Sequence, residues 1–309
     1  MWDIFLKTLP FFAVIGLGYI SGRTRFFTEE ATAYLTKFVF YFALSAMIFR
    51  FAASLELEQL LDWTFIKAYL AATASVYVIA TVVSLLRGVS VAEAAVEAQC
   101  SVIGNIGFLG IPMLALLMGP EAVAPIIIML SVDLIVFSSL IVILITGSRG
   151  GGLSLGILRT VVMGLVKNPM IVSVVLGIVW SSWNLPMPAP AEEFLTLLGA
   201  AATPGALFAI GASLASKSAE RMSVAVTISA FKLFIHPAAV ALTALVIWPV
   251  DPFAAKVMVA AAALPVAGNV YILAQHYNVA PQRVSAAILV STAVSVVTVA
   301  ATIAWLETL

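Results

Sequence analysis

Few side chains in this sequence could do chemistry, and most of those fall inside apolar runs. Asp133 lies midway along one run, and Lys232 lies about a third of the way into another, with His236 one helical turn later. Ionisable groups at membrane depth are costly, and they mark ion pathways, substrate pathways and proton relays. Asp133 is therefore a proton-coupling candidate, and Lys232 a candidate for lining or gating a site. A structural ion pair between them is the plainer alternative, as is a neutral Asp133 held by hydroxyls such as Ser131 and Ser138. His236, beside Pro237, reads as a packing histidine. The other set of residues is neutral. Asn105, Gly107 and Pro112 interrupt one apolar segment within Gly104-Asn105-Ile106-Gly107-Phe108-Leu109-Gly110-Ile111-Pro112. Pro265, Gly268 and Asn269 interrupt another within Leu264-Pro265-Val266-Ala267-Gly268-Asn269. Proline removes a backbone donor and clashes with the preceding turn, and glycine leaves the backbone loosely constrained. A freed N–H or C=O is expensive in hydrocarbon, so such a break is tolerated inside the protein or against a water-filled cavity. In transporters that is where substrate sits. Half-helix N-termini offer partial positive charge and N–H donors, which suit a small organic anion or a neutral solute with a polar head, while a cation held by freed carbonyls would be a coupling ion. Asn105 and Asn269 would add neutral donors and acceptors. One break alone would equally suit a kinked packing helix. Two breaks at corresponding places favour a substrate-binding site.

The elements that hold these residues must be membrane helices. Of 309 residues, 63% are hydrophobic and 10% charged, with a mean hydropathy of +1.14. Soluble domains carry about 25% charged residues. Apolar runs long enough to span a bilayer recur throughout. Ten spans are expected, near 4–21, 31–50, 64–86, 93–118, 121–146, 167–183, 192–216, 223–248, 253–278 and 282–306. The fold class is all-α and integral to the membrane. The opening Met1-Trp2-Asp3 lacks a positive n-region, so the first run reads as a retained span. Zero formal net charge leaves no basic footprint for nucleic acid. The lone Cys100 excludes an internal disulfide framework and reads as a packing residue. No HExxH, GxSxG, P-loop or CxxC is present, and two histidines are too few for most metal sites. Asp133 is the acid read at membrane depth. The expectation is no enzyme, no catalytic residue, no metal and no cofactor.

The two halves repeat. Pro10 and Leu17-Gly18 match Pro169 and Leu176-Gly177 at an offset of 159. Gly107, Pro120 and Val123 match Gly268, Pro281 and Val284 at an offset of 161. A polar, glycine-rich connector over 147–166 separates residues 1–150 from 151–309. Five spans per half, an odd number, make the second half an inverted copy of the first. The positively charged loops set the orientation. Arg23, Arg25, Arg87, Arg149, Arg159, Lys167, Lys217, Arg221 and Arg283 fall on one side, against Lys7, Arg50, Lys67 and Lys256 on the other. The first side is expected to be cytoplasmic, which puts both termini outside the cell membrane.

Asn105 with Gly107-Phe108-Leu109-Gly110-Ile111-Pro112 resembles the fourth-span motif of the auxin efflux carrier family, which includes plant PIN carriers and bacterial malonate-type permeases. Lys167-Asn168-Pro169 with Leu176-Gly177 resembles the family's sixth-span opening, and Lys232-Leu233 with Pro237 its eighth span. Leu264-Pro265 followed by Ala274-Gln275-His276-Tyr277-Asn278-Val279 resembles the ninth span, and Ser291-Thr292 with Ser295 and Thr298 the tenth. The resemblance covers essentially the whole chain in order. It implies two inverted five-helix repeats with broken helices four and nine crossing. It also implies a scaffold of helices 1, 2, 6 and 7, and a transport domain of helices 3–5 and 8–10. Elevator-type transport of small organic anions follows, as does a homodimer through the scaffold. By matched position Asn105, Pro112 and Pro265 carry over as crossover residues. Leu44-Ser45-Ala46 departs from the family, which often has proline in the second span, whereas Pro204 is kept in the seventh. The short middle connector leaves no room for the long regulatory loop of many plant members. Two alternatives are a sodium-coupled bile-acid-type symporter, which would need an acidic and amide cage at the breaks, and an organic-acid sensor that moves nothing.

Overall fold

The computed structural model describes residues 2–55, 62–150, 155–183, 186–215 and 222–309. Glu56, Glu58, Gly151, Gly152, Lys217 and Arg221 lie outside them. Among the described residues the chain is helical, apart from one isolated β-bridge. The helices are α1 Trp2–Arg23, α2 Glu29–Ala53, α3 Trp63–Leu86, α4 Val91–Val102, α5 Ile106–Met118, α6 Pro120–Arg149 and α7 Leu155–Lys167. They continue with α8 Pro169–Ser182, α9 Ala189–Ala215, α10 Met222–Ile247, α11 Pro252–Ala262, α12 Gly268–His276 and α13 Pro281–Leu306.

Side chains begin several of these helices. Thr28, Asp62 and Asp251 each accept the backbone N–H three residues on, at 3.1, 2.9 and 2.9 Å. Ser90 and Glu93 form a reciprocal capping box at the start of α4. Asn168 accepts Met170 N–H at 3.0 Å, just ahead of Pro169 in the first turn of α8.

Seven of the helices are long and apolar enough to cross a membrane: α1, α2, α3, α6, α9, α10 and α13. The number is eight if α7 and α8, bent by 67°, count as one. Ten spans were expected, the fourth and ninth of them interrupted, and the interrupted two are among those that no single long helix crosses. The segment over 93–118 divides into α4 and α5, and that over 253–278 into α11 and α12. The glycine-proline runs end each first helix before it can cross. The connector over 147–166 also differs from expectation. Its later part is the amphipathic α7, because Ile157, Val161 and Leu165 recur on one face.

Corresponding helices in the two halves start at near-constant spacing: Glu29 and Ala189, Trp63 and Met222, Val91 and Pro252, Pro120 and Pro281. Helix α1 packs most extensively on α9, and α8 on α2. Both contacts need a glycine. A Cβ on Gly18 would strike the Phe208 carbonyl oxygen and stand 3.0 Å from Ala212 N. One on Gly177 would stand 2.9 Å from the Phe49 carbonyl oxygen and 3.0 Å from Ala53 N. The three pairs Gly18/Gly177, Phe49/Phe208 and Ala53/Ala212 share the offset of 159, so the contact itself recurs. Small residues let backbones approach where lipid supplies no hydrophobic drive for association. A second group packs mainly within itself: α3 on α4, α4 on α6, α10 on α13, α11 and α3. Helix α13 also touches α1.

Candidate functional site

The two breaks meet at the centre of the protein. Gly104 and Val266 form an antiparallel bridge, with Asn105 N–H donating to the Pro265 carbonyl at 2.8 Å and Ala267 N–H to the Ile103 carbonyl at 3.1 Å. Each break thus satisfies backbone groups that the other frees, as a buried break requires. Other groups of the breaks find partners close by or on α13. Ile106 N–H donates to Gly104 O at 2.8 Å, Leu109 and Gly110 N–H to Asn105 O at 3.1 and 3.0 Å, and Val266 N–H to Ser291 Oγ at 3.1 Å. Asn105, Gly107 and Pro265 are buried at this junction, and Pro112 is half-buried in the first regular turns of α5. Gly107 faces α8, where a Cβ would meet the Met170 methyl at 2.6 Å.

Two cavities reach this junction. The first, about 510 Å³, lies between α2, α5, α9, α12 and α13 and is lined by Phe40, Phe108, Gly268, Asn269, Tyr271 and Ser285, with Glu29 and Lys37 further out. The second, about 400 Å³, is lined by Phe40, Ser138, Asn168, Asn269, His276 and Lys167 among others. Asn269 and Phe40 border both. Asn269 Oδ1 and Ser285 Oγ are buried and have no hydrogen-bond partner. Helix α12 starts beside them without a side-chain cap, so its positive end adjoins unspent polar atoms. The outer residues of both cavities border the segments at 24–28 and 277–280, so both lie toward one face.

Beside the crossover is a buried polar cluster. Asp133, 2% exposed, accepts a hydrogen bond from Tyr69 Oη at 2.7 Å through Oδ1, and its Oδ2 has no partner. Ser131 and Ser138 spend their hydroxyls on the Ile127 and Asp133 backbone carbonyls, not on the carboxyl group. Lys232, fully buried, donates to the Ala262 carbonyl and lies 3.3 Å from His236 Nδ1, while His236 Nε2 lies 3.1 Å from Thr73 Oγ1. Among the described residues no ion pair within 4 Å joins Asp133 to Lys232. Both residues sit in π-helical turns, Asp133–Phe137 and Phe231–Ile235. Such turns insert a residue, re-aim side chains and are frequent at functional sites. Tyr69 and Thr73, one turn apart on α3, complete the cluster, and sequence reasoning passed over them.

It passed over a second ionic group too. Glu97, 2% exposed on α4, pairs with Arg87 after α3 and with Arg283 on α13 at 2.9 Å, and Ser84 donates to it at 2.7 Å. Arg283 also reaches Glu93 at 2.7 Å. Asp133 is therefore not the lone buried acid. The available signal was the i, i+4 spacing of Glu93 and Glu97 in an apolar helix. Arg87 sits outside the helices; burial and the neighbouring Arg283 charge together hold its pKa below the usual guanidinium value.

A helical, multi-pass protein whose two interrupted helices hydrogen-bond to each other at its centre, beside half-open cavities, has the form of a membrane transporter. Residues 3–303 match the family of membrane transport proteins, and the chain belongs to that family, which includes the auxin efflux carriers. A Rhizobium meliloti protein named "Putative malonate transporter" is 30% identical over 306 residues, 97% of this chain and 94% of its own length. An uncharacterized transporter of Escherichia coli K12 is 27% identical over 300 residues, 94% of this chain and 93% of its own. Auxin efflux carrier component 2 of rice is 29% identical over 133 residues, 40% of this chain and 21% of its own. The protein is a membrane transporter and not an enzyme.

Proposed function

We propose that this transporter carries small organic anions, mono- or dicarboxylates of the auxin or malonate kind, by elevator-type alternating access. The observation that carries the reading is the crossover itself: two mutually bonded breaks with Asn269 facing both cavities. Ten membrane segments result when each broken pair is one segment, and the recurring helix starts and glycine contacts support an inverted repeat of residues 1–150 and 151–309. Helices α1, α2, α8 and α9 would be the scaffold, also forming a homodimer. The rest, except the connecting α7, would move as the transport domain. Asn105, Gly107, Pro112, Pro265, Gly268 and Asn269 would form the substrate region, with Lys232 behind it and Asp133 the proton-coupling group. The cavities lie toward the face bearing Arg25, Arg87, Arg149 and Arg283, which the positive-inside rule makes cytoplasmic. The conformation is then inward-facing, with both termini outside a bacterial inner membrane.

The test is uptake into proteoliposomes of radiolabelled mono- and dicarboxylates, malonate and indole-3-acetate included, with and without proton and sodium gradients. Saturable uptake that follows the proton gradient is expected. Sodium-driven uptake would move the reading to a bile-acid-type symporter, and binding without accumulation to a sensor.

A further inference from the structure

Helix α7 carries three rows of side chains spaced four residues apart, and residues so spaced share a helix face. Ile157, Val161 and Leu165 are half-buried, and α7 packs on α6 and α8. Leu158, Val162 and Val166 form the next row, apolar yet 62%, 46% and 62% exposed. Arg159, Met163 and Lys167 form the third, and all three are exposed. An apolar row and a cationic row thus run side by side on the outer surface of α7, and a bend of 67° turns its axis away from α8. A helix of this kind lies in the membrane interface, with its apolar row at the acyl chains and its cations at the headgroups. The charge around it is one-sided. Between Leu134 and Ala191 the sequence holds Arg149, Arg159 and Lys167 but no Asp or Glu. Among the described residues no carboxylate pairs with any of the three within 4 Å. Arg149, near the end of α6, donates to the Tyr277 carbonyl at 2.7 Å, which fixes it beside the turn after α12. Tryptophan marks the other end of the molecule. Trp2, Trp63, Trp180, Trp183, Trp248 and Trp305, all six in the chain, lie at the ends of α1, α3, α8, α10 and α13 remote from α7. Tryptophan holds a helix end at headgroup level through its amphipathic ring. The end that bears α7 has no tryptophan and meets the interface with cations instead.

We infer that the outer surface of α7 is a docking surface for anionic phospholipid, with phosphates held by Arg159 and Lys167 and acyl chains laid along Leu158, Val162 and Val166. Charge complementarity selects the lipid class. A phosphatidylglycerol headgroup brings a phosphate alone to the cationic row, whereas a phosphatidylcholine headgroup brings an ammonium as well. Eight residues separate Arg159 from Lys167, about 12 Å along the helix axis, so the row holds neighbouring headgroups and not a single phosphate. Lys167 and Met163 also border the second cavity, which places the lipid at that cavity's outer edge. Helix α7 is the segment that joins α6 to α8, so lipid bound there holds the link between the two helix groups at the membrane surface. The inference goes beyond the transport reading. It requires no substrate, and it stands if every acid tested is refused.

The experiment is thermal unfolding of the purified protein in neutral detergent, titrated with phosphatidylglycerol, with phosphatidylcholine, or with glycerol 3-phosphate as the free headgroup. The wild type is expected to melt higher, and saturably, with phosphatidylglycerol alone, and added salt should weaken that response. Arg159→Gln and Lys167→Gln should each raise the half-saturating lipid fraction about fivefold, and the double variant should raise it further. Val162→Asn, which leaves the charges in place, should also weaken the response. Lys67→Gln removes an exposed cation at the tryptophan end and should leave the response unchanged. Equal stabilisation by the two lipids overturns the inference, as does an unaltered response in the double variant. So does the same loss in Lys67→Gln, which would reveal a general effect of surface charge, or an unaltered response in Val162→Asn, which would leave the apolar row without a role. Stabilisation by glycerol 3-phosphate equal to that by phosphatidylglycerol also overturns it, because the site would then be one for a free anion. If the double variant does not fold, the two single variants decide.

Discussion

Asp133 holds one hydrogen bond, from Tyr69 Oη, and leaves Oδ2 without one. Asparagine at 133 keeps an acceptor for Tyr69 and removes the carboxyl. If Asp133 carries the coupling proton, Asp133→Asn will still insert and take up substrate in proteoliposomes, but uptake will no longer respond to an imposed proton gradient. Normal gradient dependence in that variant ends the proton role. Asn269 is the polar residue that faces both cavities, and its Oδ1 is unspent. A hydrogen bond involving a charged group contributes about 1.5–3 kcal/mol. Asn269→Ala is therefore expected to raise the half-saturation concentration for the transported acid by about tenfold or more, while its melting temperature stays close to wild type. An unchanged concentration dependence would remove Asn269 from the site.

Among the elements, helix pairing is set by where a backbone can come close. Gly18 and Gly177 leave no room for a methyl group against the Phe208 and Phe49 carbonyls, whereas Gly16 has open space around its Cβ direction. Forcing extra volume into a packed contact costs about 1–3 kcal/mol. Gly18→Ala and Gly177→Ala should each lower the melting temperature, and Gly16→Ala should leave it level or raise it slightly through helix propensity. Equal behaviour of all three would mean that the α1–α9 and α2–α8 contacts are not close-packed. At the other end of the second helix group, Glu97 joins α3, α4 and α13 through Arg87 and Arg283. Removing one partner of a buried ion pair costs about 3–5 kcal/mol, because the other is left uncompensated. Glu97→Ala should destabilise by about that much in chemical or thermal unfolding, while Glu97→Met with Arg283→Met should destabilise by less than the sum of the single changes. Strict additivity would show that the pair is not coupled.

For the whole molecule, glycine contacts and helix starts recur at near-constant spacing in the two halves, as the proposed repeat requires, while the two breaks hydrogen-bond to each other. Orientation follows from charge. The single cysteine, Cys100, is fully buried, so introduced cysteines can be labelled against a quiet background. Ser148→Cys is expected to react with an impermeant thiol reagent only from the cytoplasmic side, and Thr308→Cys only from outside. The reverse pattern would invert the proposed topology and make the cavities outward-facing.

The sequence alone determined the membrane class and the places where two apolar segments break, and it supplied the spacing on which the proposed repeat rests. Each of these is carried by local chemistry: apolar length, the missing donor of proline, the freedom of glycine, and residue spacing along one chain. Only the tertiary structure decided who meets whom. That Gly104 bridges Val266, that Lys232 goes to a helix-end carbonyl and not to Asp133, and that Glu97 gathers two arginines could not be read from spacing. The partners are far apart in sequence, and the π-helical turns that re-aim Asp133 and Lys232 leave no periodic signature. In a bilayer, burial removes water as the default partner, so such buried polar groups take partners from other helices, and packing chooses which.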